Sequence, residues 1–88
     1  GMASGDPAVR RVVDESRDLN AQRLIDAFGE LGVADTPALR VALRSWVSFT
    51  EESLISLVIE RDEDPERVVR FLETTLDGVI AATGELRL

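Results

Sequence analysis

Three prolines constrain this chain more than any other feature. Each follows a residue whose side chain carries an oxygen: Asp6-Pro7, Thr36-Pro37 and Asp64-Pro65. Such a pair puts an acceptor at the helix N-cap and proline at the first helical position, where the missing N–H leaves no bond unmade and the fixed φ already suits a helix. Each pair therefore predicts a helix start. Gly29 and Gly32 close the first periodic segment and Gly84 the third, while Asp62-Glu63-Asp64 separates the second from the third. The expected fold is all-α: three antiparallel helices over about residues 7–29, 37–61 and 65–83, with no competing strand pattern. Gly1-Met2 reads as the scar of a removed tag, residues 1–5 as a flexible lead-in, and residues 6–88 as one helical domain.

Each expected helix carries a different apolar pattern. In the first, Val9, Val12, Val13, Leu19, Leu24, Ala27, Phe28 and Leu31 make one stripe, and at about 100° per residue Ser16 and Asn20 fall near its middle with Arg23 close by. These polar groups are expected to point inward and to need partners, because an unpaired buried polar group costs about 1–3 kcal/mol. The second helix is apolar on two faces. Leu39, Ala42, Leu43, Trp46, Thr50, Leu54 and Leu57 form one stripe, and Val41, Ser48, Ile55 and Ile59 a second on roughly the opposite side. A helix of that kind is buried from both directions. The third has a broad stripe through Val68, Phe71, Leu72, Thr75, Leu76, Val79 and Thr83, widened by Val69 and Ile80, with Gly78 on its flank. Gly in mid-helix costs about 1 kcal/mol relative to Ala, a cost most easily offset by close approach of another helix. The simplest body meeting these demands is a two-fold dimer through helices 2 and 3, a four-helix bundle with Val41, Ser48, Ile55, Ile59, Val69, Gly78 and Ile80 at its interface.

Composition narrows the chemistry. The 88 residues contain no cysteine and no histidine, which removes disulfides, thiolate nucleophiles, imidazole bases and the commonest zinc ligands. Seventeen acids against ten arginines leave a net charge of −7, the wrong sign for a surface that would neutralise phosphates. Glu51-Glu52 and Asp62-Glu63-Asp64 lack calcium-loop spacing and read as solvated acidic faces. With no phosphate loop and no serine-nucleophile motif, we expect no enzyme, no metal and no cofactor. No apolar run approaches the ~20 residues of a membrane helix, so a cytoplasmic protein without membrane contact is expected.

The order of segments resembles a known family. Asp6-Pro7-Ala8-Val9-Arg10, continuing through Val13-Asp14-Glu15-Ser16-Arg17 to Asn20-Ala21-Gln22-Arg23-Leu24-Ile25, looks like the helix that opens the last third of many TetR-family (tetracycline-repressor-type) transcriptional regulators. Thr36-Pro37-Ala38-Leu39-Arg40, followed by Trp46-Val47-Ser48-Phe49-Thr50-Glu51, resembles the penultimate helix of that family, and the Arg61-Asp62 turn with the helix from Pro65 its last helix. The resemblance covers about residues 6–83. It implies a C-terminal regulatory domain that dimerises through its last two helices and holds a small-molecule pocket. The family's helix-turn-helix has no counterpart here, so DNA would be bound only through a domain outside this chain.

Under that resemblance Ser16, Asn20 and Arg23, with Trp46, Phe49 and Thr50, are the candidate wall of a pocket for a small, largely apolar effector, since such sites combine apolar surface with a few convergent polar groups. Each has a plainer reading: the polar three satisfy one another or an outside segment, and Trp46 is core. Arg40 and Arg44 read as salt-bridged surface residues. The alternative function is a stand-alone homodimeric helical interaction module that senses nothing.

Overall fold

A computed structural model describes residues 5–86, so residues 1–4 of the expected lead-in and residues 87–88 lie outside the described residues. Helix α1 spans Pro7–Glu30 and α2 spans Pro37–Ser53, continuing without a break as a π-helical segment, Leu54–Ile59; α3 spans Pro65–Thr83. The described residues contain no strand. All three starts have the same local cause. Asp6 accepts from the Ala8 N–H (2.9 Å), Thr36 from the Leu39 N–H (3.1 Å) and Asp64 from the Glu66 N–H (3.1 Å), with proline next in each case. Thr36→Ala is expected to cost about 1 kcal/mol in a urea unfolding titration, because it strips the cap from the central helix.

The first helix ends in a Schellman turn. Gly32 takes φ +89°, the Val33 N–H reaches the Phe28 carbonyl (2.9 Å) and the Gly32 N–H the Gly29 carbonyl (3.0 Å). Gly32 is thus the stop, while Gly29 stays inside α1. The second helix ends where Asp62 adopts φ 55°, a left-handed conformation that aspartate tolerates better than most residues, and the Glu63 N–H turns back to the Leu57 carbonyl at 2.8 Å.

The helices run antiparallel in sequence order: Arg17 in the first half of α1 reaches Glu51 late in α2, and Phe49 late in α2 meets Phe71 early in α3. Among the described residues α1 and α3 do not approach one another, and α2 lies between them. The three are joined where Ile25, Leu39 and Leu43 pack together, with Leu24 and Phe28 from α1, Val33 from the turn, and Leu76 and Ile80 from α3 around them. Leu39 and Leu43 are fully enclosed. The molecule is a slab 38 × 33 × 21 Å with a radius of gyration of 14.5 Å, against about 12 Å for a compact chain of this length.

Three expectations about faces change. The buried line of α1 passes through Ala21 and Ile25, whereas Val9, Val12, Val13, Leu19 and Leu31 are exposed. Ser16, Asn20 and Arg23 are exposed as well. The reason is that α1 has one neighbour and buries only a narrow strip against it. In α2, Val47 and Ala38 are buried and Leu54 is exposed. Ile80 packs on the shared core and Gly78 has nothing within 4 Å of a Cβ built on it, so Ile80 is occupied inside the chain and the close approach expected at Gly78 does not occur within it.

Candidate functional site

Trp46 is the centre of the candidate site. It stands on the side of α2 that turns towards α3, where its indole Nε1–H donates to Thr75 Oγ1 (3.0 Å), and the Thr75 hydroxyl donates to the Leu72 carbonyl (2.8 Å). The ring is therefore held by a two-step relay into the backbone of α3. It forms a wall common to two grooves.

The first groove, about 360 Å³, runs between α1 and α2 and is lined by Asn20, Arg23, Leu24, Trp46, Val47, Thr50 and Glu51. Four of the six residues expected at a pocket wall thus meet in one place. Helical spacing explains it: Asn20 and Arg23 are three apart on α1, and Trp46 and Thr50 four apart on α2, so each pair shares a face. Phe49 lines the second groove, about 410 Å³ between α2 and α3, with Ala42, Ser45, Trp46, Thr75 and Val79. Its ring packs on Phe71 with centroids 5.7 Å apart. Ser16 lines neither groove.

The polar groups of the first groove differ in how they are satisfied. Glu51 is engaged by Arg17, whose Nε and Nη2 both donate to it (3.1 and 3.0 Å), and this bond holds the Arg17 guanidinium above its ordinary pKa. Arg23 and Asn20 have no side-chain hydrogen bond or ion pair among the described residues. Thr50 Oγ1 is buried with no partner. Thr74, Thr75 and Thr83 each return a hydroxyl bond to a carbonyl one turn back, and Thr36 caps α2, so Thr50 is the exception among the threonines. Thr50→Val is expected to stabilise the chain by about 1 kcal/mol in the same unfolding titration, because it removes a buried polar atom that bonds nothing.

The outer face of the slab is built differently. Val41 is 68% exposed, Ile59 74% and Ile55 45%, while Ser48 is half-buried with its hydroxyl 3.5 Å from the Arg44 carbonyl. Val41, Ser48 and Ile55 recur every two turns along one side of α2, away from Leu39 and Leu43. On α3, Val69 and Gly78 stand half a rotation apart at about 100° per residue, so they cannot belong to one flat surface. Val69 shares its flank with Leu76 and Ile80, and Gly78 shares the other with Phe71, beside Phe49. Phe71 and Gly78, two turns apart, mark that second flank of α3, where the Phe71 ring meets Phe49.

Arg40 pairs with Asp35 (2.6 Å), and Arg44 with Asp18 and Asp14, as salt-bridged surface residues do. The hydrogen bond from Arg40 holds the Asp35 carboxyl below its ordinary pKa. A further depression along the first half of α1, lined by Arg10, Arg11, Asp14, Glu15 and Asp18 together with Gly5 and Pro7, has no aromatic wall. Among the described residues no helix is long and apolar enough to cross a membrane.

The chain matches no family model, no curated protein and no solved structure.

Proposed function

We propose that this chain is the ligand-sensing and dimerising C-terminal part of a TetR-type transcriptional regulator. The observation that carries the reading is the central helix: flanked by α1 and by α3, it still leaves Val41, Ile55 and Ile59 exposed on its far side. Exposed apolar residues scattered singly need no explanation, whereas a line of them at helical spacing beside an apolar groove marks a surface that another body covers. A second copy packed through α2 and α3 covers it symmetrically and makes a four-helix bundle. The order and spacing of the three proline-started segments support the same assignment.

The α1–α2 groove then serves as one wall of the effector pocket. An effector changes DNA affinity only through its differential affinity for two conformations of the dimer. A small, largely apolar molecule lodged between α1 and α2 favours the conformation in which two helix-turn-helix heads are misaligned for half-sites one helical turn apart. DNA contact belongs to those heads, which these 88 residues do not include. The gene upstream of the Met2 codon tests this reading. An in-frame helix-turn-helix segment is expected there; an in-frame stop directly before that codon would favour a stand-alone dimerisation module.

A further inference from the structure

We propose that the α1–α2 groove takes a small amphiphilic anion, a carboxylate on an apolar body, with Arg23 as its charge partner. This rests on the reading of that groove as the effector site and specifies the chemistry it selects. The apolar body is dictated by Leu24, Val47 and Trp46, the three apolar residues of the lining. The charged end follows from the polar groups. Glu51 could repel an anion, yet its carboxylate already accepts from Nε and Nη2 of Arg17. That leaves Arg23 as the uncompensated charge of the lining, in a chain whose net charge is −7. Asn20, one turn before Arg23 on the same face, adds an amide with no partner among the described residues. A guanidinium and an amide on one helix face offer the donors that a carboxylate accepts, and hydrogen bonds to a charged group are roughly twice as strong as neutral ones. Thr50 supplies a third group. Its hydroxyl lies under the groove without a partner, and rotation about χ1 exchanges it with the γ-methyl, so it can turn towards a bound polar head.

The test uses a reporter the chain already contains. Trp46 is its single tryptophan and lines both this groove and the α2–α3 groove, so its fluorescence reports occupancy of either, and the Arg23 variant assigns the response to one of them. The 88-residue protein is titrated with octanoate and, separately, with octan-1-ol, which has the same apolar body and no charge. Octanoate is expected to saturate the Trp46 signal at about tenfold lower concentration than the alcohol, the difference one charge-assisted hydrogen bond makes. In Arg23→Gln that preference disappears while the alcohol titration is unchanged. Arg70→Gln, on the exposed side of α3, keeps the preference, and circular dichroism of all three proteins shows the same helix content. Equal binding of acid and alcohol by the wild-type chain would overturn the anion and leave the effector groove standing. A preference that survives Arg23→Gln would overturn the assignment to this groove. No Trp46 response to either compound would remove both the anion and the effector reading.

Discussion

Leu43→Ala is expected to lower the unfolding free energy by about 2–5 kcal/mol, the range for deleting a leucine side chain from a closed core. The site lies at the upper part of that range for a structural reason. Leu43 is 0% exposed and sits with Leu39 and Ile25 at the point where all three helices meet. Among the described residues α1 and α3 do not approach one another, so each is held to the body through α2. The cavity therefore cannot be closed by a local shift of one helix. For a domain of this size each kcal/mol moves the melting temperature by about 4–8 °C, so a fall of about 8–40 °C in a thermal scan is expected. Total stabilities of single domains are about 5–15 kcal/mol, so a loss at the top of the range removes a third or more of the total. Loss of less than about 1 kcal/mol would mean that the three-helix junction is not where the fold is held.

Ile55→Glu is expected to abolish self-association while leaving the helices intact. Within one chain Ile55 is 45% exposed and contributes no buried contact to the Ile25–Leu39–Leu43 core, so a carboxylate there stays hydrated in the monomer. Across a dimer the same carboxylate would be taken out of water among the apolar side chains of the shared face, a cost of several kcal/mol. At 1.4 kcal/mol per factor of ten, the dimer dissociation constant rises by at least about 100-fold. The two readouts separate the surface from the core: equilibrium sedimentation reports the lost dimer, and circular dichroism reports unchanged helix content. Unchanged self-association would mean that the Val41–Ser48–Ile55 line is not the surface the copies share.

The helix starts were legible because their causes are local. Asp6, Thr36 and Asp64 each accept a hydrogen bond within three residues, and a proline follows at once, so nothing beyond five residues is needed to read them. The stripe of α3 was legible as well, since Val68 and Leu72 are buried and Thr75, Leu76 and Val79 half-buried along the face that periodicity marks. The buried strip of α1 was not. Val9, Val12 and Val13 are as apolar as Ala21 and Ile25, and only the position of α2 decides which of them is covered. Periodicity identifies apolar faces and does not say how many neighbours a helix has.

The π-helical end of α2 also escaped the sequence. Leu-Ile-Ser-Leu-Val-Ile is apolar on most sides, so a widened turn, with the Glu60 N–H bonded back to the Ile55 carbonyl at 3.0 Å, leaves no mark in the residue pattern. Of the candidate site, Asn20, Arg23, Trp46 and Thr50 were named as residue types from the sequence, though Asn20 and Arg23 were placed on a buried stripe of α1 that is open. The bond from Trp46 to Thr75 and the ring contact of Phe49 with Phe71 join two helices, and no single-helix pattern contains that information.

The mass of the chain in solution bears most directly on whether its outer α2–α3 face is shared between two copies. Equilibrium sedimentation at tens of micromolar is expected to give twice the 9.7 kDa of one chain, falling towards the single-chain value on dilution. A mass of 9.7 kDa throughout that range would contradict the account.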